Sequence, residues 1–189
     1  MTTQDYISRN EKERVFLLEI FKNIFDKDKC DVSYYMTSTE GYDEYDGGVC
    51  IFKKGTGSVV CRQIYEIKIR DIHYPDLMLE RTKFNRLVKK AEDLWDAQIK
   101  YVNVTPLGTY IWNITKDDKY IWLKEEHNKS TTELSKGKKM KQVTYLSTYI
   151  AKKMDMKTSD YDKLYKEQNI KQEIVKEEQK KCLFEWLMK

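Results

Sequence analysis

The sequence predicts an α/β fold, in which helices flank a β-sheet, and two observations lead to this class. Apolar stripes with helical spacing occur before the first predicted strand and again between the third and fourth strands. The chain of 189 residues, with 40% apolar and 35% charged side chains, is long enough to bury one core. The order of helix, three strands, helix and strand therefore favours a sheet covered by helices.

The first predicted helix covers 10–26. Asn10, with Glu13 three residues later, has the spacing of a capping box that would begin it. The apolar positions recur every three or four residues and are Leu17, Ile20, Phe21, Ile24 and Phe25. We therefore expect one face of this helix to pack against the sheet.

Three strands are predicted next, at 31–37, 49–53 and 59–70. The third strand has the clearest pattern, because apolar Tyr65 and Ile67 alternate with charged Glu66 and Lys68. Side chains of a strand point to opposite faces in turn, so the two sets are expected on opposite faces of the sheet.

Pro75 and Asp76 are expected to begin a second helix that extends to Trp95, with Asp76 as its N-cap. Its apolar stripe consists of Phe84, Leu87, Val88, Ala91 and Leu94. Further strands are predicted at 99–104, 109–114, 119–124 and 143–150, with a Lys-rich loop at 126–140 and a polar helix at 160–188. We assign 1–155 to one domain and 156–189 to a helical extension that packs on it or on a partner.

Two residue types limit the chemistry of the chain. Only His73 and His127 are present, in different segments, which excludes zinc sites built on paired His ligands. The seven Gly residues form neither of the phosphate-binding loops GxGxxG and GxxxxGK[ST]. Hydrolysis by this chain would therefore depend on carboxylates and Lys, usually with a bound divalent metal.

The sequence also predicts the compartment. It has no apolar run of 18 residues and no apolar leader segment near its N-terminus. The four Cys residues show no CxxC spacing, as expected of free thiols in a reducing compartment. We predict a cytoplasmic protein that does not bind membranes.

The net charge of +4 is unevenly distributed. Residues 116–189 carry 18 Lys and 13 acidic residues, whereas residues 1–115 carry 17 basic and 18 acidic ones. The most basic run is 129–141, and we predict that four of its lysines bind nucleic-acid phosphates, namely Lys136, Lys138, Lys139 and Lys141. A solvated Lys-rich flap would explain the same run.

Glu66 and Lys68 are the central candidates for a chemical role. They lie two residues apart on one strand, so their side chains point the same way. If 49–53 and 60–70 pair as a hairpin, Asp46 can lie near Glu66. Two carboxylates, a backbone carbonyl and water suit Mg²⁺ or Mn²⁺, and Lys68 would stabilise the charge that develops on an attacked phosphate. The alternative for Glu66 and Lys68 is an ion pair on an exposed face.

The order of Asp46, a strand, Glu66-x-Lys68, a helix and a further strand resembles the PD-(D/E)xK nuclease superfamily. The stretch Tyr65–Arg70 looks like its small, phage-borne members, and the resemblance covers roughly 10–115. It implies a restriction-endonuclease-like core, a mixed central sheet of about four strands flanked by helices. This chain adds C-terminal strands and a C-terminal helix to that core.

The resemblance also implies roles for single residues. In that superfamily the aspartate and the glutamate bind the metal and the lysine is catalytic, which by position implies Asp46, Glu66 and Lys68. Mg²⁺, or Mn²⁺, is the implied cofactor. A further Lys on the following helix often assists catalysis, and Lys83 is the candidate. Tyr45 stands where the motif has Pro.

Three assignments stay open at this stage. Asp43 competes for the role of the first carboxylate. Lys83 either points into a cleft or pairs with Glu80 three residues earlier. Glu13 or Glu19 of the first helix could also reach the metal, although we prefer the capping box as the role of Glu13.

The function that the sequence favours is metal-dependent hydrolysis of phosphodiester bonds in nucleic acid, with DNA preferred over RNA. One alternative is a non-catalytic nucleic-acid-binding or phage structural protein with the same fold. Another is an α/β interaction protein whose C-terminal helix binds a partner. The sequence leaves monomer and homodimer open, and for a phage-encoded protein the cytoplasm would be that of the host.

Overall fold

The structure, a computed structural model, describes residues 3–25, 30–37, 44–117, 119–128 and 137–169. Its helices and strands, in chain order, are α1 (Thr3–Ile24), β1 (Cys30–Met36), β2 (Gly47–Lys53), β3 (Val59–Ile69), β4 (Asp76–Glu80), α2 (Arg81–Asp93), β5 (Gln98–Thr105), β6 (Gly108–Ile114), β7 (Leu123–Asn128), β8 (Lys138–Ser147), β9 (Lys152–Met154) and α3 (161–169).

Two sheets organise the chain. The larger has six strands in the order β1-β2-β3-β5-β6-β9, and the smaller has three in the order β4-β8-β7. β3 and β5 are parallel, whereas the other neighbours pair antiparallel. A parallel pair needs a crossover connection, and β4 and α2 lie within this one.

The large sheet is buried on both faces by different elements. On one face, Phe16 and Leu17 of α1 pack with Tyr65 and Ile67 of β3. On the other face, α2 and β4 cover the sheet, and their buried side chains include Leu79, Phe84, Leu87 and Ala91. Because both faces are covered, a charged side chain on a central strand is enclosed unless it lies near a strand end.

The predicted α/β class, with a mixed central sheet flanked by helices, is confirmed. β2, β3, β5 and β6 are four adjacent strands that include the parallel pair, and β1 and β9 extend them to six. The hairpin of 49–53 with 60–70, which was the condition for Asp46 to lie near Glu66, is present, since β2 and β3 pair antiparallel from Gly47–Tyr65 to Phe52–Val59.

β4 corrects the prediction that Pro75 and Asp76 begin a helix. The segment from Asp76 is extended and pairs with β8, and the helix starts at Arg81. Leu77 and Leu79 are both buried, with the period of two that a strand requires. A polar residue after Pro has the local appearance of an N-cap, whereas the strand depends on a pairing partner far along the chain.

Three other boundaries differ from the predictions. The predicted strand at 119–124 is shifted, since β7 runs from Leu123 to Asn128, and β7 and β8 also include 126–128 and 138–140 of the predicted loop at 126–140. The polar sequences of these segments lack an apolar alternation that would have indicated strands. β8 also ends at Ser147, before the predicted end at 150. α1 begins at Thr3, so Asn10 lies inside the helix and is not its N-cap.

The C-terminal part is described as far as 169. Residues 161–169 are helical, and the rest of the helix predicted at 160–188 lies outside the described residues. Met156 and Leu164 join the core on the α1 side of the sheet. The division into 1–155 and 156–189 stays a prediction. In the described part of the chain, no helix is long and apolar enough to cross a membrane.

Candidate active site

The candidate site forms where β2 begins and β3 extends beyond it. The pairing of β2 with β3 stops at Gly47 and Tyr65, whereas β5 accompanies β3 as far as Ile69. Asp46 lies at this step, because its backbone N–H donates to the Tyr65 carbonyl at 2.8 Å and its Oδ2 accepts from the Ile67 N–H at 2.7 Å. The Asp46 carboxylate thus replaces β2 along the open edge of β3.

Glu66 is at the centre of the site and is 1% exposed. Its Oε1 lies 2.8 Å from Nζ of Lys68 and 3.0 Å from Nζ of Lys83. Its Oε2 is buried without a hydrogen-bond partner among the described residues. Lys68 Nζ also donates to the Ile67 carbonyl at 3.0 Å. The alternative of an exposed ion pair between Glu66 and Lys68 is therefore wrong, since the carboxylate is enclosed.

α2 brings Lys83 into the site. The helix starts at Arg81, directly after β4, so Lys83 lies in its first turn and reaches back to β3. Its Nζ is also 3.4 Å from the Glu44 carbonyl. Glu80, the alternative partner of Lys83, instead pairs with Lys141 at 2.8 Å.

Glu13 of α1 joins the site, and the sequence interpretation as a capping residue was wrong. Its side chain is 8% exposed, and Oε1 lies 3.8 Å from Nζ of Lys68. A signal was present in the sequence, because Glu13 lies one and two turns before Leu17 and Ile20 on the apolar stripe of α1. Glu19 is not part of the site, since it binds Lys22 and Asn23 further along the helix.

These charges perturb one another. Burial, together with the neighbouring carboxylates of Glu66 and Glu13, raises the pKa of Asp46 to about 7 against the opposing effects of Lys68 and of the hydrogen bond from the Ile67 N–H. Burial would also raise the pKa of Glu66, but the ammonium groups of Lys68 and Lys83 outweigh it and lower that pKa. At neutral pH, Glu66 is therefore ionised, whereas Asp46 is close to the midpoint of its titration.

The pKa of Lys68 moves in the opposite direction to that of Glu66. Burial alone would lower the pKa of Lys68, but the carboxylates of Glu66, Glu13 and Asp46 raise it above its ordinary value. Lys68 therefore keeps its positive charge at neutral pH. A charged ammonium at this point can stabilise negative charge that develops nearby.

A cleft of about 190 Å³ opens beside the carboxylates. It is lined by Lys68, Arg70, Met78, Glu80, Thr82, Lys83, Arg86 and Tyr101. Glu80 is its one acidic lining residue and is engaged by Lys141. Arg70 is held in place, because its Nε donates to Oδ1 of the buried Asn103 at 3.1 Å. Four cationic side chains around so small a cleft favour an anionic ligand.

The donor set of the site fits a hard divalent cation. Asp46 and Glu66 offer carboxylate oxygens. The buried Oε2 of Glu66 accepts no hydrogen bond from the described residues, so it is available as a ligand. Among the described residues, no group of three or more His, Cys, Asp and Glu side chains is arranged to hold an ion. Mg²⁺ is commonly held by one or two protein carboxylates and keeps several waters.

The lysines predicted to bind nucleic acid differ in their surroundings. Lys138 and Lys139 are exposed on β8, where Nζ of Lys138 lies 3.6 Å from Glu126. The side chain of Lys141 is 7% exposed and paired with Glu80, so it is not free to contact phosphate. Lys136 and Asp43 lie outside the described residues.

Comparison with solved structures gives distant structural similarity. The chain is similar to a Holliday junction resolvase, Hjc, from the archaeal hyperthermophile Archaeoglobus fulgidus, with 12% identical residues and a TM-score of 0.45. The match covers 78% of this chain and 92% of the resolvase. No protein-family model and no curated protein matches the chain.

Proposed function

We propose that this chain is a nuclease that hydrolyses phosphodiester bonds of DNA and depends on Mg²⁺ or Mn²⁺. The observation that carries the proposal is the environment of Glu66, a buried, ionised carboxylate between two ammonium groups with one oxygen unpartnered toward the described residues. Burying such a group costs folding free energy, which favours a role beyond stability.

Asp46 and Glu66 would hold the cation through their carboxylate oxygens. A bound divalent ion polarises a phosphate oxygen and lowers the pKa of its water to produce a nucleophile near neutral pH. Asp46 is anchored for this role by the hydrogen bond from the Ile67 N–H. Glu66 stays ionised because Lys68 and Lys83 lower its pKa.

Lys68 and Lys83 would act on the phosphate itself. Both ammonium groups line the cleft while their Nζ atoms lie within 3.0 Å of Glu66 Oε1. The two lysines would place their positive charge beside the attacked phosphate, whose negative charge rises in the transition state. Lys68 stays protonated throughout, because three carboxylates raise its pKa.

The cationic cleft would hold the neighbouring part of the nucleic-acid backbone. Arg70 and Arg86 extend the positive charge away from the carboxylates, and a guanidinium binds phosphate with two parallel hydrogen bonds. The preference for DNA over RNA rests on the resemblance to PD-(D/E)xK nucleases.

A cleavage assay tests the proposal directly. End-labelled DNA and RNA, as single strands, duplexes and branched forms, are incubated with Mg²⁺, Mn²⁺ or EDTA. We expect cleavage of DNA with either metal, no cleavage in EDTA, and none by Glu66→Gln. Glu92→Gln, an exposed carboxylate on α2, is the matched control and should cut at the wild-type rate. DNA binding without cleavage under any condition would favour the non-catalytic nucleic-acid-binding protein instead.

A further inference from the structure

An exposed apolar surface next to the cleft has no role in the proposed hydrolysis. It consists of Ile72 and Tyr74, which follow β3, and of Tyr149 and Ile150, which follow β8. Their exposed fractions are 61%, 52%, 90% and 78%. We refer to these four residues as the aromatic surface. Such large side chains exposed close together are typical of a binding surface.

Backbone hydrogen bonds hold the two halves of this surface together. The backbone N–H and the hydroxyl of Thr148 both donate to the Pro75 carbonyl at 2.8 Å. This contact continues the antiparallel pairing of β4 with β8 beyond Asp76 and Ser147. Tyr74 and Tyr149 each adjoin one of the two bonded residues, so their rings extend from neighbouring points on a fixed backbone.

The aromatic surface lies within a few nucleotides' reach of the cationic cleft. Arg70 and Met78 both line the cleft, and Tyr74 lies four residues from each. Because a residue spans at most ~3.6 Å, the Cα of Tyr74 is within about 14 Å of both. That distance corresponds to about four nucleotides at the 3.4 Å spacing of a stacked strand. A strand whose phosphates occupy the cleft can therefore reach the rings.

We propose that the aromatic surface stacks unpaired bases of the nucleic-acid strand held in the cleft, so that the preferred substrate has single-stranded nucleotides beside the bond to be cut. Bases in a continuous duplex have their faces covered by their neighbours and offer no face to Tyr74 or Tyr149. A cationic groove with adjacent aromatic rings is the combination by which proteins bind single strands. This inference rests on the proposed function in taking the cleft as the place of the phosphates.

The charges near the surface agree with a defined path for the backbone of the strand. Asp71 and Asp76 are exposed beside the aromatic surface and would repel phosphate. The backbone is therefore expected to pass along Arg70, with the bases turned toward the rings. Lys152 and Lys153, two and three residues after Ile150, are exposed and add positive charge there.

Binding measurements in EDTA test this inference without cleavage. Fluorescence anisotropy compares a labelled oligothymidylate strand with a blunt duplex that contains the same strand. Tyr74→Leu and Tyr149→Leu keep apolar area but remove the ring face, and each should weaken binding of the single strand by about tenfold. Duplex binding should change by less than about twofold, because phosphate contacts are retained. Tyr74→Phe and Tyr149→Phe should bind like the wild type.

Trp95→Leu is the control. Trp95 is 80% exposed and lies just before the start of β5. β3 runs parallel to β5 and the aromatic surface follows its end, so Trp95 and the surface lie at opposite ends of this strand pair. Equal losses for single strand and duplex, no loss in the Leu variants, or Phe variants as weak as Leu variants would overturn the inference. A ring-dependent preference for single strands with no cleavage by the wild type would contradict only the proposed nuclease, and cleavage without that preference would contradict only this inference.

Discussion

Nζ of Lys83, in the first turn of α2, lies 3.0 Å from Oε1 of Glu66 on β3, and Nζ of Lys68 lies 2.8 Å from the same oxygen. One carboxylate oxygen thus receives two ammonium groups from different elements. The spacing of three residues would also allow Lys83 to pair with Glu80, but Glu80 is bound to Lys141. Lys83 is therefore available to the site by virtue of a second ion pair.

We predict that Lys83→Met lowers the rate of DNA cleavage by about 10²-fold, since one electrostatic contact to the transition state is lost. Single-turnover cleavage with saturating Mn²⁺ measures the effect. Lys89→Met, an exposed position on the same helix, should cut at close to the wild-type rate. Equal rates for Lys83→Met and the wild type would restrict Lys83 to a structural ion pair.

Substitutions of Glu66 and Lys68 should affect metal binding and cleavage differently. Glu66→Gln should abolish both Mn²⁺ binding and cleavage, because the cation loses an anionic ligand. Lys68→Met should bind Mn²⁺ at least as tightly as the wild type, since a repelling charge is gone, and should cut about 10²–10³-fold more slowly. Calorimetry and a cleavage time course check both. Wild-type cleavage by Lys68→Met would exclude a catalytic role for this lysine.

The stability of the metal-free protein should fall as pH rises, because the pKa of Asp46 is about 7 in the folded state against an ordinary value of 3.8. Folding then favours the protonated carboxyl, so this contribution is complete below about pH 3.8 and is lost as pH rises through about 7. Asp46→Asn cannot ionise at this position and serves as the reference. The Tm of the wild type, measured relative to that of Asp46→Asn, should fall between about pH 5 and about pH 8. Thermal melts in EDTA measure this difference.

Excess Mn²⁺ should reverse that trend in the wild type, because a cation binds the deprotonated carboxylate of the folded state. Asp46→Asn should show neither the trend nor its reversal. A parallel pH dependence of Tm in the two proteins would mean that Asp46 is ionised normally when folded.

Glu13 offers a separate test of how the carboxylates interact. Its charge raises the pKa of Asp46, so Glu13→Gln should move the pH midpoint of Mn²⁺ binding downward without abolishing binding. Mn²⁺ titrations at several pH values measure the midpoint. Glu11→Gln, an exposed position two residues earlier, is the control. Complete loss of Mn²⁺ binding in Glu13→Gln would instead show that Glu13 itself binds the Mn²⁺ ion.

The lysines of β8 should separate into two groups. Replacing Lys138 and Lys139 with Gln should reduce the slope of log affinity for duplex DNA against log salt by up to about 0.9 per lysine. Lys141→Gln should leave that slope unchanged and instead destabilise the fold by on the order of 1–3 kcal/mol, because Glu80 loses its buried partner. If the slope of log affinity against log salt is the same in all variants, the lysines of 129–141 do not contact the phosphates and this segment is a solvated flap.

The alternation of Tyr65, Glu66, Ile67 and Lys68 determined a strand with two opposite faces, and the short turn between Lys53 and Val59, with Gly55 and Gly57, determined its hairpin with β2. These features depend on neighbouring residues and on the period of a strand, so the sequence alone predicted them. The stripes of α1 and α2 are local in the same sense, which is why the fold class followed from the sequence.

Tertiary structure decided the features that depend on distant partners. Leu77 and Leu79 became part of a strand because β8 pairs with them, although Asp76 after Pro75 has the local pattern of a helix start. Glu13 had a local capping pattern, but α1 begins earlier and carries the carboxylate to Lys68. Lys141 belongs to a basic run, yet Glu80 on another strand removes its charge from the surface. The energy of a buried charge depends on what is brought against it, and only the folded chain determines that.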